Sequence, residues 1–91
     1  MNILVLHGPN LNMLGERNPN VYGSLDLNQI NGRIQSFCND HGISCRIYQS
    51  NAENEMVEYI QKSMKDTDAI VINAAAYTHT SIAIRDAIEL I

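Results

Sequence analysis

The sequence predicts a parallel α/β domain, and three observations carry that prediction. Residues 3–6 and 69–72 are short β-prone runs with no polar alternation, amphipathic helical periodicity separates the strand candidates, and the two kinds of element alternate along the chain. A strand that is apolar at every position suits a sheet covered on both faces, as parallel sheets are. Alternation of strand and helix calls for right-handed crossovers between parallel strands. Ninety-one residues make one domain, 1–91, with no internal repeat and no linker.

Taken in order, Ile3-Leu4-Val5-Leu6 is the first strand, ended by His7-Gly8-Pro9-Asn10. Residues 10–23 hold Gly15, Pro19 and several Asn without either period, which predicts a long loop of the kind that acts as a lid. It is expected to be the most mobile segment without ligand. Asp26 opens a helix whose stripe is Leu27, Ile30, Ile34 and Phe37, with Gly42 as its stop. Gly32 inside it costs about 1 kcal/mol relative to Ala. Residues 43–48 are the second strand candidate. Ser50-Asn51-Ala52-Glu53 has capping-box spacing before a stripe of Met56, Val57, Ile60 and Met64, with Glu53, Glu55, Glu58, Lys62 and Lys65 facing water. Asp66-Thr67-Asp68 breaks that helix. Ala69-Ile70-Val71-Ile72 is the third strand, residues 74–80 a small-residue turn, and Ser81 onward a third helix without a stop signal. Three strands are few for this pattern, so the domain is expected to continue past residue 91.

Composition excludes several classes. Six Lys/Arg against ten Asp/Glu give a net charge of −4, and only Lys62 and Lys65 lie close together, which argues against nucleic acid and anionic membrane as partners. The longest apolar run is far shorter than the roughly 20 residues that span a bilayer, and the N-terminus has no basic, cleavable leader. Cys38 and Cys45 make neither a disulfide framework nor a zinc site and read as two reduced thiols of a cytoplasmic protein.

In open parallel sheets, ligands bind beyond the carboxyl ends of the strands. Polar residues concentrate there: His7, Asn10, Asn73, Thr78, His79, Thr80 and Ser81, with Arg17 and Tyr22 added by the loop. Each also has a structural reading, since Asn serves turns and Thr or Ser caps helices. His79 and Asp86 are seven residues apart, about 10 Å on a helix, so a triad with Ser81 within one chain is excluded. Asp86 alternatively pairs with a neighbouring Arg at the surface. There is no Cys-x-x-Cys, no His-x-x-x-His and no phosphate loop. What remains is acid–base chemistry on a small polar molecule.

The string Leu4-Val5-Leu6-His7-Gly8-Pro9-Asn10-Leu11-Asn12-Met13-Leu14-Gly15 is followed by Arg17, Pro19 and Val21-Tyr22-Gly23, then by Tyr48-Gln49-Ser50-Asn51. Asn73-Ala74-Ala75-Ala76-Tyr77-Thr78-His79-Thr80-Ser81 and Arg85-Asp86-Ala87 complete the set. In order and spacing these strings resemble type II 3-dehydroquinate dehydratase, a lyase of the shikimate pathway that leads to chorismate and the aromatic amino acids. The resemblance implies a flavodoxin-like three-layer α/β/α domain with sheet order 2-1-3 in this chain. Strands four and five, the general acid and a substrate-binding arginine would lie beyond residue 91, so the chain alone is expected to be inactive.

It further implies dehydration of 3-dehydroquinate to 3-dehydroshikimate by anti elimination through an enolate, with no metal and no cofactor. By motif position Tyr22 is the base, Arg17 lowers the tyrosine pKa, and Asn10 positions the loop and a water. Asn73 and His79 bind substrate hydroxyls, and Asp86 reaches the site of a neighbouring subunit in a homo-oligomer, a dodecamer built of trimers. The family commonly carries a glycine, often after a Pro, where this chain has Ala74-Ala75-Ala76, so a backbone compatible with alanine is expected there. Two alternatives remain at this level: a non-catalytic small-molecule-binding module on the same sheet, and an inactive fragment acting through its open strand edge.

Overall fold

The computed structural model describes residues 1–13, 25–73 and 82–89. Three strands form one parallel sheet: β1 at Asn2–His7, β2 at Ser44–Gln49 and β3 at Ala69–Asn73, in the order β2-β1-β3. Central β1 pairs with Cys45, Arg46 and Ile47 opposite Ile3, Leu4 and Val5 on one side. On its other side Val5 faces Val71 and Leu6 faces Ile72. The predicted order and the central position of strand one are both borne out.

Helix α1 runs over Leu27–Asp40, α2 over Glu53–Ser63 and α3 over Ile82–Glu89. Side chains alternate across the sheet. Leu4 and Leu6 point to the face where Met56, Ile60, Ile84 and Ala87 of α2 and α3 close a buried core, flanked by Ile70 and Ile72. Tyr48 joins that layer by stacking on Tyr59, ring centroids 4.3 Å apart. The opposite face packs β2 against α1, where Cys38 is buried beside Cys45. This is the expected three-layer arrangement.

Helix α1 starts and stops by local chemistry. Asp26 Oδ1 accepts the Gln29 N–H at 2.8 Å and Gln29 Oε1 accepts the Asp26 N–H at 2.9 Å, a complete capping box. At the far end Gly42 takes φ 68°, the Ile43 N–H reaches Cys38 O at 2.8 Å, and the Gly42 N–H reaches Asn39 O at 3.3 Å. These two bonds form a Schellman motif.

Three local expectations are corrected. The capping box at Ser50-Asn51-Ala52-Glu53 does not form: Ala52 is the N-cap, without a side-chain cap. Ser50 is held by β1 instead, its N–H bonded to His7 O, while its Oγ accepts the Ala52 N–H. Phe37 is not a core residue. It is 59% exposed and stacks on His41, while the next residue, Cys38, faces the sheet. Met64 lies past the end of α2 and is exposed, and Ser63 is buried in its place, its hydroxyl donating to Ile60 O. Of the lid, residues 10–13 are described and include a 3-10 turn at Leu11–Met13, while residues 14–23 and the small-residue turn at 74–80 lie outside the described residues.

Candidate functional site

Parallel pairing brings the carboxyl ends of all three strands to one edge of the sheet. His7 lies opposite Gln49 on one side and opposite Asn73 on the other, so three polar residues share one register row. The ladder continues just beyond it, with the Gly8 N–H donating to Asn73 O at 2.8 Å and the Ser50 N–H donating to His7 O at 3.0 Å. His7 Nε2 is 2.8 Å from Asn31 Oδ1 on α1. The amide oxygen accepts, so Nε2 carries the proton.

Past Gly8 the chain turns sharply. Asn10 adopts φ 68°, and among the described residues no other non-glycine has a positive φ. Asn tolerates this left-handed region better than most residues, yet such a backbone persists only where its surroundings hold it. The Asn10 N–H donates to Asn51 Oδ1 at 2.9 Å, and the Met13 N–H donates to Asn10 O at 3.0 Å. The Gln49 side-chain amide donates towards Gly8 O, Asn51 Oδ1 and Asn12 Oδ1 at 3.2, 3.1 and 3.4 Å.

Of the residues singled out from sequence, Asn10 and Asn73 both come to this edge: Asn73 O is bonded to Gly8, two residues before Asn10. Asp86 falls within α3. Arg17, Tyr22 and His79 lie outside the described residues. Sequence reasoning gave no separate role to Gln49, Asn51 and Asn31. The first two stand in a quoted motif, and the signal available was their placement at the carboxyl end of a strand.

Chemically the row is a set of amides around one imidazole. Amides do not titrate, so Gln49 and Asn73 offer hydrogen-bond donors and acceptors suited to hydroxyl or carbonyl groups, and His7 is the one titratable side chain in the row. Among the described residues no group of three or more His, Cys, Asp or Glu is placed to hold a metal ion. Two shallow concavities lie away from the row. One of about 580 Å³ runs along α1 beside Leu25 and Arg33, and one of about 200 Å³ sits near Asn2 and Asp66. Neither contains a strand-end residue of the row.

The family model for class II dehydroquinase matches residues 1–91. The chain belongs to that family. It is 60% identical over 87 residues to the 3-dehydroquinate dehydratase of Bordetella avium, covering 94% of this chain and 60% of that protein. It is 57% identical over 88 residues to the 3-dehydroquinate dehydratase of Geotalea daltonii, covering 97% of this chain and 61% of the relative. The structure is similar to the type II dehydroquinase of Butyrivibrio crossotus with a TM-score of 0.94 and 44% identity, over 100% of this chain and 66% of that one. A 3-dehydroquinate dehydratase-like protein from Bifidobacterium longum follows at TM-score 0.76 and 27% identity, over 99% of this chain and 61% of that one. The chain therefore spans about 60% of the length of these curated relatives. The flavodoxin-like sheet expected from the motifs is the fold of this class II dehydroquinase chain.

Proposed function

We propose that the protein to which this chain belongs dehydrates 3-dehydroquinate to 3-dehydroshikimate in the shikimate pathway. The observation that carries the proposal is the polar register row at the carboxyl edge of the sheet, with Asn10 turned out beside it, in a chain whose whole length matches the dehydroquinase family. The substrate is a small polyhydroxylated acid, and amides that both donate and accept suit its hydroxyls and ketone. Asn10 positions a water near the enolate oxygen, and Asn73 and His79 hold substrate hydroxyls.

Tyr22 removes the proton beside the ketone. An ordinary tyrosine titrates near 10, so a base at neutral pH needs a cation close by. Arg17 supplies a permanent charge five residues earlier on the same segment. The electron pair freed by deprotonation forms the enolate, and its collapse expels the hydroxyl from the opposite face, which leaves as water once a general acid elsewhere in the enzyme has protonated it. Asp86 reaches a neighbouring subunit's site in a homo-oligomer, a dodecamer built of trimers, and the enzyme works in the cytoplasm without a cofactor. Among the described residues no helix is long and apolar enough to cross a membrane.

The test is the full-length enzyme with two samples of 3-dehydroquinate, each deuterated on a different face of the carbon beside the ketone. Anti elimination predicts growth of the conjugated-enone absorbance with loss of the label opposite the leaving hydroxyl and retention of the label on the same face as it. No absorbance growth, or loss of the label on the same face as the hydroxyl, would refute it.

A further inference from the structure

Beyond the place of Gln49 in the register row, the side chains of Gln49 and Asn51 grip the segment that presents Asn10. Gln49 and Asn51 sit at the end of β2, and their partners follow β1, about forty residues away in sequence. The contact is therefore a tertiary clamp rather than a local turn. Asn51 Oδ1 receives two donors, the Asn10 backbone N–H at 2.9 Å and the Gln49 amide at 3.1 Å. The same Gln49 amide reaches Gly8 O and Asn12 Oδ1, so it touches the segment on both sides of Asn10. The sheet does not need these side chains, because backbone bonds alone carry its ladder past His7. What they fix is a residue held at φ 68°, a conformation that needs external support.

We propose that Gln49 and Asn51 are positioning residues for the dehydration: they lock residues 8–12 so that Asn10 meets the reacting end of the substrate. The inference rests on the dehydratase reading of Asn10. Most of these bonds are solvent-exposed, so losing one leaves the fold intact while the loop drifts. A small misplacement of a catalytic group costs up to about a hundredfold in rate. Because Asn10 is assigned to the enolate stage, the loss falls on turnover more than on substrate binding.

The test compares full-length wild type with Asn51→Ala, Asn51→Asp and Gln49→Ala by steady-state kinetics on 3-dehydroquinate, urea unfolding, and amide hydrogen exchange at Asn10. Asn51→Ala should lower kcat by about tenfold to a hundredfold with little change in KM or in the urea midpoint, and the Asn10 amide should lose its protection. Asn51→Asp keeps the acceptor oxygen, so it should restore both the protection and most of kcat. Gln49→Ala should lower kcat in the same way. An active wild type matched by Asn51→Ala overturns the positioning role alone, as does a protected Asn10 amide in that variant, or an Asn51→Asp enzyme no better than Asn51→Ala. A wild type that does not dehydrate 3-dehydroquinate overturns the functional reading and the positioning role with it.

Discussion

Two glycines belonging to one helix should respond to alanine in opposite directions. Gly32 lies inside α1, and a Cβ added there meets nothing within 4 Å. Its backbone is helical, so Gly32→Ala gains the propensity difference, about 0.8–1 kcal/mol. Gly42 also has open space around it but sits at φ 68° in the Schellman motif. A non-glycine residue there pays roughly 1–2 kcal/mol, partly offset by about 0.4–1 kcal/mol of reduced freedom in the unfolded chain. Gly42→Ala should therefore lose about 1 kcal/mol, and the two variants should differ by about 2 kcal/mol. For a domain of this size that gap is about 8–16 °C in Tm. Urea and thermal unfolding followed by far-ultraviolet circular dichroism measure it directly. Free space at both sites predicts equal tolerance if sterics alone mattered. Gly42→Ala as stable as Gly32→Ala would thus refute the backbone argument.

Ile60→Ala should cost about 2–5 kcal/mol in the same assay, because Ile60 is 0% exposed between Leu4, Leu6 and Ile84. Phe37→Ala, at an exposed ring stacked on His41, should cost less than about 1 kcal/mol, and equal losses would contradict the placement of α1. Burial pushes the Cys45 thiol pKa up, with the Cys38 hydrogen bond and charge adding to it. The folded state then holds that proton more tightly than the unfolded state. Its contribution is complete below the ordinary thiol value of 9.0 and is lost as the pH rises beyond it. The urea midpoint should fall above that pH in wild type and fall less in Cys45→Ser; parallel curves would exclude the thiol. In the full-length enzyme Tyr22→Phe should lower turnover by at least about a hundredfold, and Arg17→Lys should retain only part of the wild-type rate, since an ammonium lacks the planar donor fork. Tyr22→Phe turnover above about a tenth of wild type would move the base elsewhere.

Local chemistry was legible in the sequence wherever the deciding groups lie within a turn of one another. Asp26 starts α1 through Gln29, and Gly42 ends it through bonds to Asn39 and Cys38. The unbroken apolar runs of β1 and β3 announced a parallel sheet, and the Asn10 and Asn73 motifs pointed to its carboxyl edge. Elsewhere the folded structure decided. Periodicity gave α1 an apolar stripe, but its packing on β2 puts Cys38 inward and leaves Phe37 in water. Ser50 has the spacing of a cap, yet β1 takes its N–H first, because a ladder bond to His7 is available only once the strands are paired. The grip of Gln49 and Asn51 on Asn10 joins residues that no local rule relates. Sequence spacing governs contacts within a turn, whereas a bond across some forty residues exists only after the sheet has set β1 beside β2.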